Sequence, residues 1–264
     1  LDLREPGVVS DLVQALRPGH VAHLAARSSP RRSFAQPWAT IENNMSAKVN
    51  LLDACSLLET HPRVLVVTSA DIYDPVEDPL RETSPFLPTS PYAVSKIAQD
   101  MHALQLHLER GLPVMRARPF NFIGPGQAEG LVAPDFAWRI ARIEAGLQPA
   151  VIRVGNLAAR RDFCDVRDVV HAFALLLMRG EPGSVCNVAS GEANSIQFLL
   201  ETLLAMSAVP IEIEVDQARF VPLDVPLKRG DNRKLRRATG WQPRISLEQS
   251  LHDLLQACRK TLRA

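Results

Sequence analysis

The stretch RVLVVTS, residues 63–69, is a short apolar run that opens on a charge and closes on hydroxyls. Runs of that length, rich in β-branched residues, read as strands buried on both faces, the kind found in parallel sheets. The stretch TSPYAVSK, residues 89–96, then places a proline where a helix begins, and helical apolar spacing continues to residue 110. The alternation extends outward in both directions. Upstream, residues 7–17 read as a helix, 20–25 as a strand and 37–60 as a long helix with Met45, Val49, Leu52 and Leu57 on its apolar face. Downstream, strands are expected at 113–118, 150–154, 185–189 and 210–215, and helices at 132–146, 166–179, 196–208 and 247–262. Strands alternating with helices predict an α/β chain built on a parallel sheet.

A chain of 264 residues makes one large domain or two small ones. A net charge of +1 leaves no electrostatic footprint for nucleic acid or an anionic membrane surface. Cys55, Cys164, Cys186 and Cys258 are scattered and form no C-x-x-C pair. They read as buried thiols in a reducing compartment, with neither a disulfide framework nor a metal site. No apolar run approaches a membrane span, and LDLREPGVV lacks the pattern of a signal peptide. The expected location is the cytoplasm.

Tyr92 and Lys96 are four residues apart, so they share one face of the expected helix, one turn from each other. A phenol beside an ammonium is a proton donor whose pKa a nearby cation lowers. That is the chemistry needed to protonate an alcohol oxygen as hydride arrives at its carbon. An ordinary Tyr–Lys contact on a helix surface has the same spacing, and these two residues alone do not separate the readings.

Further motifs carry a resemblance. TSPYAVSK, HLAA (residues 23–26), NNMSAKVNLL with Asn44, and TSADIY (residues 68–73) together resemble the nucleotide-sugar epimerase/dehydratase family of extended short-chain dehydrogenases/reductases. The resemblance implies a Rossmann-like doubly wound parallel sheet with a smaller α/β substrate domain. The dinucleotide-binding part would comprise 1–120 and 162–190, and the substrate part 121–161 and 191–264. It also implies the catalytic group: Tyr92 as proton donor, Lys96 lowering its pKa, Ser69 polarising the substrate oxygen, and Asp71 assisting. Cofactor contacts would come from Asp2 and Leu3 at the end of a strand, from Leu24, Ala25 and Ala26, from Tyr92 and Lys96, and from Phe122. The family's usual Gly-Thr is replaced by Ala47-Lys48.

RPFNFIGPGQ (residues 118–127) and VGNLAARRDFCDVRDVV (residues 154–170) narrow the resemblance to the branch acting on GDP-sugars. Asn121 and Arg161 would then reach the substrate, with Arg139 as a second arginine, since a guanidinium matches a diphosphate bidentately. A further family arginine is replaced by Val221, leaving Arg219 two residues earlier as its substitute. Dehydratases of this kind carry an acid and a base after the Ser69 position; here Ala70 and Asp71 stand there, which favours ketone reduction.

The resemblance therefore implies reduction of the C4 ketone of GDP-4-keto-6-deoxy-D-mannose to GDP-D-rhamnose. The alternatives are a 4,6-dehydratase or 4-epimerase, or a degenerate non-catalytic member. NADP is the implied cofactor, with NAD open. The family's glycine-rich turn does not occur, as though about three dozen residues of a first βαβ unit were absent. A homodimer is implied through the helices at 37–60 and 91–110.

Overall fold

The computed structural model describes residues 1–219 and 225–263. Its elements, in chain order, are α1 (Pro6–Leu16), β1 (His20–His23), α2 (Pro30–Ala35), α3 (Pro37–Ser56), β2 (Arg63–Val67), α4 (Pro91–Arg110), β3 (Val114–Pro119), β4 (Asn121–Ile123), α5 (Val132–Glu144) and β5 (Val151–Val154). There follow β6 (Arg160–Asp165), α6 (Val166–Arg179), β7 (Val185–Val188), β8 (Ala193–Ser195), α7 (Ile196–Ala205), β9 (Glu212–Val215), β10 (Leu227–Lys228), α8 (Arg233–Thr239) and α9 (Leu247–Arg263). Two compact units form. The first holds Leu1–Phe120, Val170–Val188 and Asp231–Trp241; the second holds Asn121–Val169, Ala189–Gly230 and Gln242–Ala264.

The first unit carries a parallel sheet in the order β1-β2-β3-β7. Because side chains alternate along a strand, Val64 and Val66 face one way and Leu65 the other. Val64, Val66 and Val114 pack with Val9 and Val13 of α1, Leu52 and Cys55 of α3, and Ala103 and Leu106 of α4. On the opposite face, Met115 lies in register with Leu65, and its side chain closes the space beside Gly180, just past α6. The sheet is thus covered on both faces, as its continuous apolar strands require.

Helix α4 has local reasons to begin and end where it does. The Ser90 hydroxyl accepts a hydrogen bond from the Ala93 N–H (3.1 Å), Pro91 opens the first turn, and Gly111 at φ 67° lets the Gly111 N–H bond to the His107 carbonyl. Its seat on the sheet is ionic. Arg116 and Arg118 sit two apart on one face of β3, and both reach the buried Asp100 of α4, at 2.6 Å and 2.8 Å. Arg118 also donates to the Tyr73 hydroxyl and the Glu82 carbonyl. Burial alone would raise the Asp100 carboxyl, but the two guanidiniums hold it below its ordinary value.

Lys48 is wholly buried where α3 meets α4. Its ammonium donates to the Gln99 carbonyl and lies 3.0 Å from His102 Nδ1. Burial presses its pKa down to about 7, assisted by the charge of Lys96 and opposed by that of Asp100. Thus the Ala47-Lys48 departure is an interior feature of the helix pair.

The second unit contains the path β10-β6-β4 with β8 antiparallel on β6, and a separate parallel pair β5-β9. Its core joins Phe136, Ile140 and Ile143 of α5 with Leu199 and Leu203 of α7 and Leu251, Leu254 and Leu255 of α9. Four short strands and two helices (β4, β6, β8, β10, α2 and α8) go beyond the sequence expectation. Residues 160–165 lie outside the expected strands, and Asp162 stands among them. In the fold that aspartate is fully buried and accepts hydrogen bonds from the backbone of Ser190, Gly191 and Gly230 and from the Ser190 hydroxyl. The segment after Arg118 leaves the first sheet as expected, but then forms β4 against β6. For the same reason 162–169 group with the second unit, whereas 231–241 group with the first, where the Asp231 N–H bonds the Leu80 carbonyl at 2.8 Å. Trp241 is buried, all four cysteines are free and buried, and no helix among the described residues is long and apolar enough to cross a membrane.

Two outcomes are expected. Asp100→Asn leaves two buried guanidiniums short of their counter-charge and lowers the unfolding free energy by about 3–5 kcal/mol in urea titrations. Lys48 and Lys96 both have folded pKa values below the ordinary 10.5, so the unfolded chain binds more protons than the folded one above about pH 7. Stability therefore rises from pH 7 to 9, by roughly 1–2 kcal/mol. Lys48→Met raises the melting temperature at pH 7 and flattens that rise.

Candidate active site

Parallel α/β sheets place ligands at the carboxyl ends of their strands. At the carboxyl end of β2, Ser69 is extended (φ −163°, ψ 150°), and its hydroxyl accepts from the Asp71 N–H at 3.1 Å, turning the chain through Ala70–Ile72. Tyr92 lies in the first turn of α4, with Lys96 one turn later. Ser69, Tyr92 and Lys96 are all nearly buried, so the structure brings together the hydroxyl, phenol and ammonium that the motifs predict.

The electrostatics correct one expectation. Burial pushes the Tyr92 phenol above its ordinary value, the negative charge of Asp71 adds to this, and hydrogen bonding with the Ser69 hydroxyl pulls the other way. The Lys96 ammonium sits 5.8 Å from the centre of the Tyr92 ring and donates to the Val67 carbonyl (3.1 Å) and to Gln99 Oε1 (2.9 Å). Burial brings Lys96 itself down to about 8. The phenol is thus held protonated beside a lysine that loses its charge just above neutrality.

Behind this group lies a polar network that one residue of the motif set, Asn44, helps build. Its side chain accepts from the Arg27 N–H (2.7 Å), donates to the Arg27 carbonyl (3.2 Å) and donates to Ser95 Oγ (2.9 Å), which in turn donates to the Tyr92 carbonyl (2.7 Å). Asn44 therefore ties the loop after β1 to the first turn of α4. Gln99, also buried, was not singled out from the sequence. A glutamine inside a helix carries no motif signal.

The cofactor candidates divide. Strand β1 stops at His23, so Leu24, Ala25 and Ala26 lie beyond it, and Leu24 is 61% exposed. An exposed apolar segment with small side chains, at the carboxyl end of a strand neighbouring β2, fits the sugar and phosphates of a dinucleotide. The His23 imidazole beneath it is buried, with no hydrogen-bond partner for Nε2; burial, then the charges of Lys96 and Lys48, bring it down to about 4. Asp2 and Leu3 depart from expectation because they are in no strand. The Asp2 carbonyl accepts from Glu5 N–H in a turn entering α1, Arg4 chelates the Asp2 carboxylate through Nε and Nη2, and the Leu3 carbonyl accepts from Asn50. Phe122 belongs to the second unit, 38% exposed on β4.

In the second unit a cavity of about 370 Å³ is lined by Asn121, Arg139 and Arg161, together with Asp135, Arg153 and Asn156. Asn121 Nδ2 donates to the Asp162 carbonyl (3.1 Å), Arg139 to the Arg153 carbonyl (3.0 Å), and Arg161 to the Val225 carbonyl (2.6 Å). Three of the four expected substrate residues thus share one cavity. Arg153 is an addition. Its signal was the charged outward position in the alternating VIRV of β5, and its Nε bonds Glu214 of β9 at 2.9 Å. Arg219 ends a short turn, Gln217–Arg219; its side chain, and Val221 with its neighbours at 220–224, lie outside the described residues.

Known proteins resemble this chain in sequence and in fold. The family model described as GDP-mannose 4,6 dehydratase matches residues 1–254. GDP-6-deoxy-D-mannose reductase of Pseudomonas aeruginosa is 38% identical over 257 residues, covering 96% of this chain and 84% of the relative. GDP-mannose 4,6 dehydratase 2 of Arabidopsis thaliana is 28% identical, covering 94% and 68%. Among solved structures, RMD from Pseudomonas aeruginosa complexed with NADPH superposes with a TM-score of 0.92 at 38% identity, covering 98% of this chain and 87% of that one. The Thermus thermophilus UDP-glucose 4-epimerase complex with NAD gives 0.85 at 28% identity, covering 98% and 83%. The chain belongs to the GDP-mannose 4,6-dehydratase family of extended, Rossmann-like short-chain dehydrogenases/reductases.

Proposed function

We propose that this protein reduces the C4 ketone of GDP-4-keto-6-deoxy-D-mannose to GDP-D-rhamnose with NADPH. The observation that carries the reading is the grouping of Ser69, a protonated Tyr92 and Lys96, with Ala70 standing where a dehydratase needs its acid. The reductase relative at 38% identity supports the choice of substrate, and the NADPH complex of its structural neighbour supports the choice of cofactor.

The reduced nicotinamide, when bound, supplies the hydride. Tyr92 gives its proton to the ketone oxygen as that oxygen gains charge. An alkoxide is a much stronger base than a phenolate, so a phenol held protonated by burial remains a competent donor. The Ser69 hydroxyl hydrogen-bonds the same oxygen. Lys96 offers positive charge to the phenolate left behind, whose formation in a buried site beside Asp71 is otherwise costly. Leu24, Ala25 and Ala26 would hold the dinucleotide in the first unit. Asn121, Arg139 and Arg161 would hold the GDP-sugar in the second, where guanidiniums meet the diphosphate.

Two further assignments belong to this reading. Val94, Met101 and Leu108 are exposed at seven-residue spacing on α4, and Trp38 is exposed on α3, which supports a homodimer through these helices. Four free, buried thiols accord with a reducing cytoplasm.

Incubation with the keto-sugar and NADPH is expected to oxidise NADPH, with a rate that falls above about pH 8 as Lys96 loses its proton. Tyr92→Phe lowers kcat by about 100-fold or more. Arg161→Met acts mainly on KM for the sugar, by about tenfold. No NADPH oxidation, with turnover of a different nucleotide sugar, refutes the assignment. In light scattering, Met101→Glu is expected to convert a dimer into a monomer; a wild-type monomer would refute the dimer.

A further inference from the structure

We propose that Gln99 is the positioning residue that aims Lys96, and that Asn44 and Lys48 hold Gln99 in the one orientation able to do so. The inference rests on the ketoreductase reading for its kinetic consequence, but the geometry stands by itself. An ammonium has three N–H donors. Among the described residues, Lys96 gives one to the Val67 carbonyl and one to Gln99 Oε1, which leaves a single N–H for a bound group. The direction of that last donor is set by the two acceptors.

The Gln99 amide is not free to rotate. Its Nε2 donates to the Asn44 carbonyl at 2.6 Å. A flipped amide would set its NH₂ against the Lys96 ammonium and its oxygen against the Asn44 carbonyl, losing both bonds and creating two repulsions. The Gln99 main chain is held as well, since its carbonyl accepts from Lys48. Gln99, Asn44 and Lys48 are all fully buried, so water does not substitute for these contacts.

The chemistry of the acceptor matters. Among the described residues neither Lys48 nor Lys96 has a carboxylate within ion-pair distance, and the nearby Asp100 is taken by Arg116 and Arg118. Neutral oxygens direct Lys96 without cancelling the positive charge it offers the phenolate. A glutamate at 99 would form a buried ion pair with it and do the opposite.

Gln99→Leu and the near-isosteric Gln99→Glu test this. The chain has five lysines, so ¹³Cε lysine spectra can be assigned by substitution and the Lys96 titration followed without substrate. The Lys96 midpoint is expected to move down in Gln99→Leu and up in Gln99→Glu. Both variants should lose kcat by at least about tenfold, with KM for the keto-sugar within about twofold of wild type. Midpoints that stay put in both variants, or kcat within about twofold of wild type, overturn the proposal. If Gln99→Leu does not fold, the upward shift in Gln99→Glu decides alone. A wild type inactive on the keto-sugar would sink the reductase reading while the lysine titration still judges Gln99.

Discussion

The carboxylate of Asp100, clamped between Arg116 and Arg118, is the constraint on which the first unit depends. It lies on α4 one turn beyond Lys96 and two turns beyond Tyr92. Both guanidiniums rise from one face of β3, so the clamp fixes the rotation and height of α4 against the sheet. Thr68, at the carboxyl end of β2, places its hydroxyl 3.3 Å from the same carboxylate and 3.1 Å from the Ala117 carbonyl of β3, with one proton to share between them. Ser69, the next residue, is thereby held opposite Tyr92. A pair of buried guanidiniums is retained because each finds several oxygens, and Arg118 also stacks over Tyr73 and Phe86.

That clamp engages the buried Asp100 with two guanidiniums, and the basic groups behind the site have no carboxylate within ion-pair distance among the described residues. His23, Lys48 and Lys96 are all buried, and all have pKa values pressed below their ordinary ranges, first by burial. Low dielectric makes every remaining charge there strong. Of the two lysines, Lys96 is the one beside Tyr92, 5.8 Å from its ring centre. The resulting arrangement costs stability, and under the proposed mechanism it serves proton transfer, the exchange expected where perturbed groups cluster.

Much of this site was legible in the sequence, because its signals are local. A four-residue spacing puts Tyr92 and Lys96 on one helical face, and Pro91 after Ser90 starts that helix at the required point. Ser69 follows an apolar strand too plain to misread. What stayed hidden was long-range or lacked a pattern. Gln99 has no motif, and nothing in the sequence marks Lys48 as interior, since its burial comes from α3 meeting α4. Asp162 masked a strand because its partners, Ser190, Gly191 and Gly230, lie far along the chain. The net direction of the Tyr92 pKa was hidden as well: spacing reports that a lysine is near, but not how deeply the phenol is buried.

The sequence by itself determined the α/β class, the order of the main helices and strands, and the placement of Tyr92 and Lys96 on one face of a helix. These follow from periodicity and from contacts within a turn or two, which are set by backbone geometry. Only the tertiary structure decided which groups are charged, which oxygens hold Lys96, and that Asn121, Arg139 and Arg161 share one cavity with Arg153. Those properties depend on burial and on neighbours distant in sequence. Desolvation and hydrogen-bond direction are made by packing, and no spacing rule carries them.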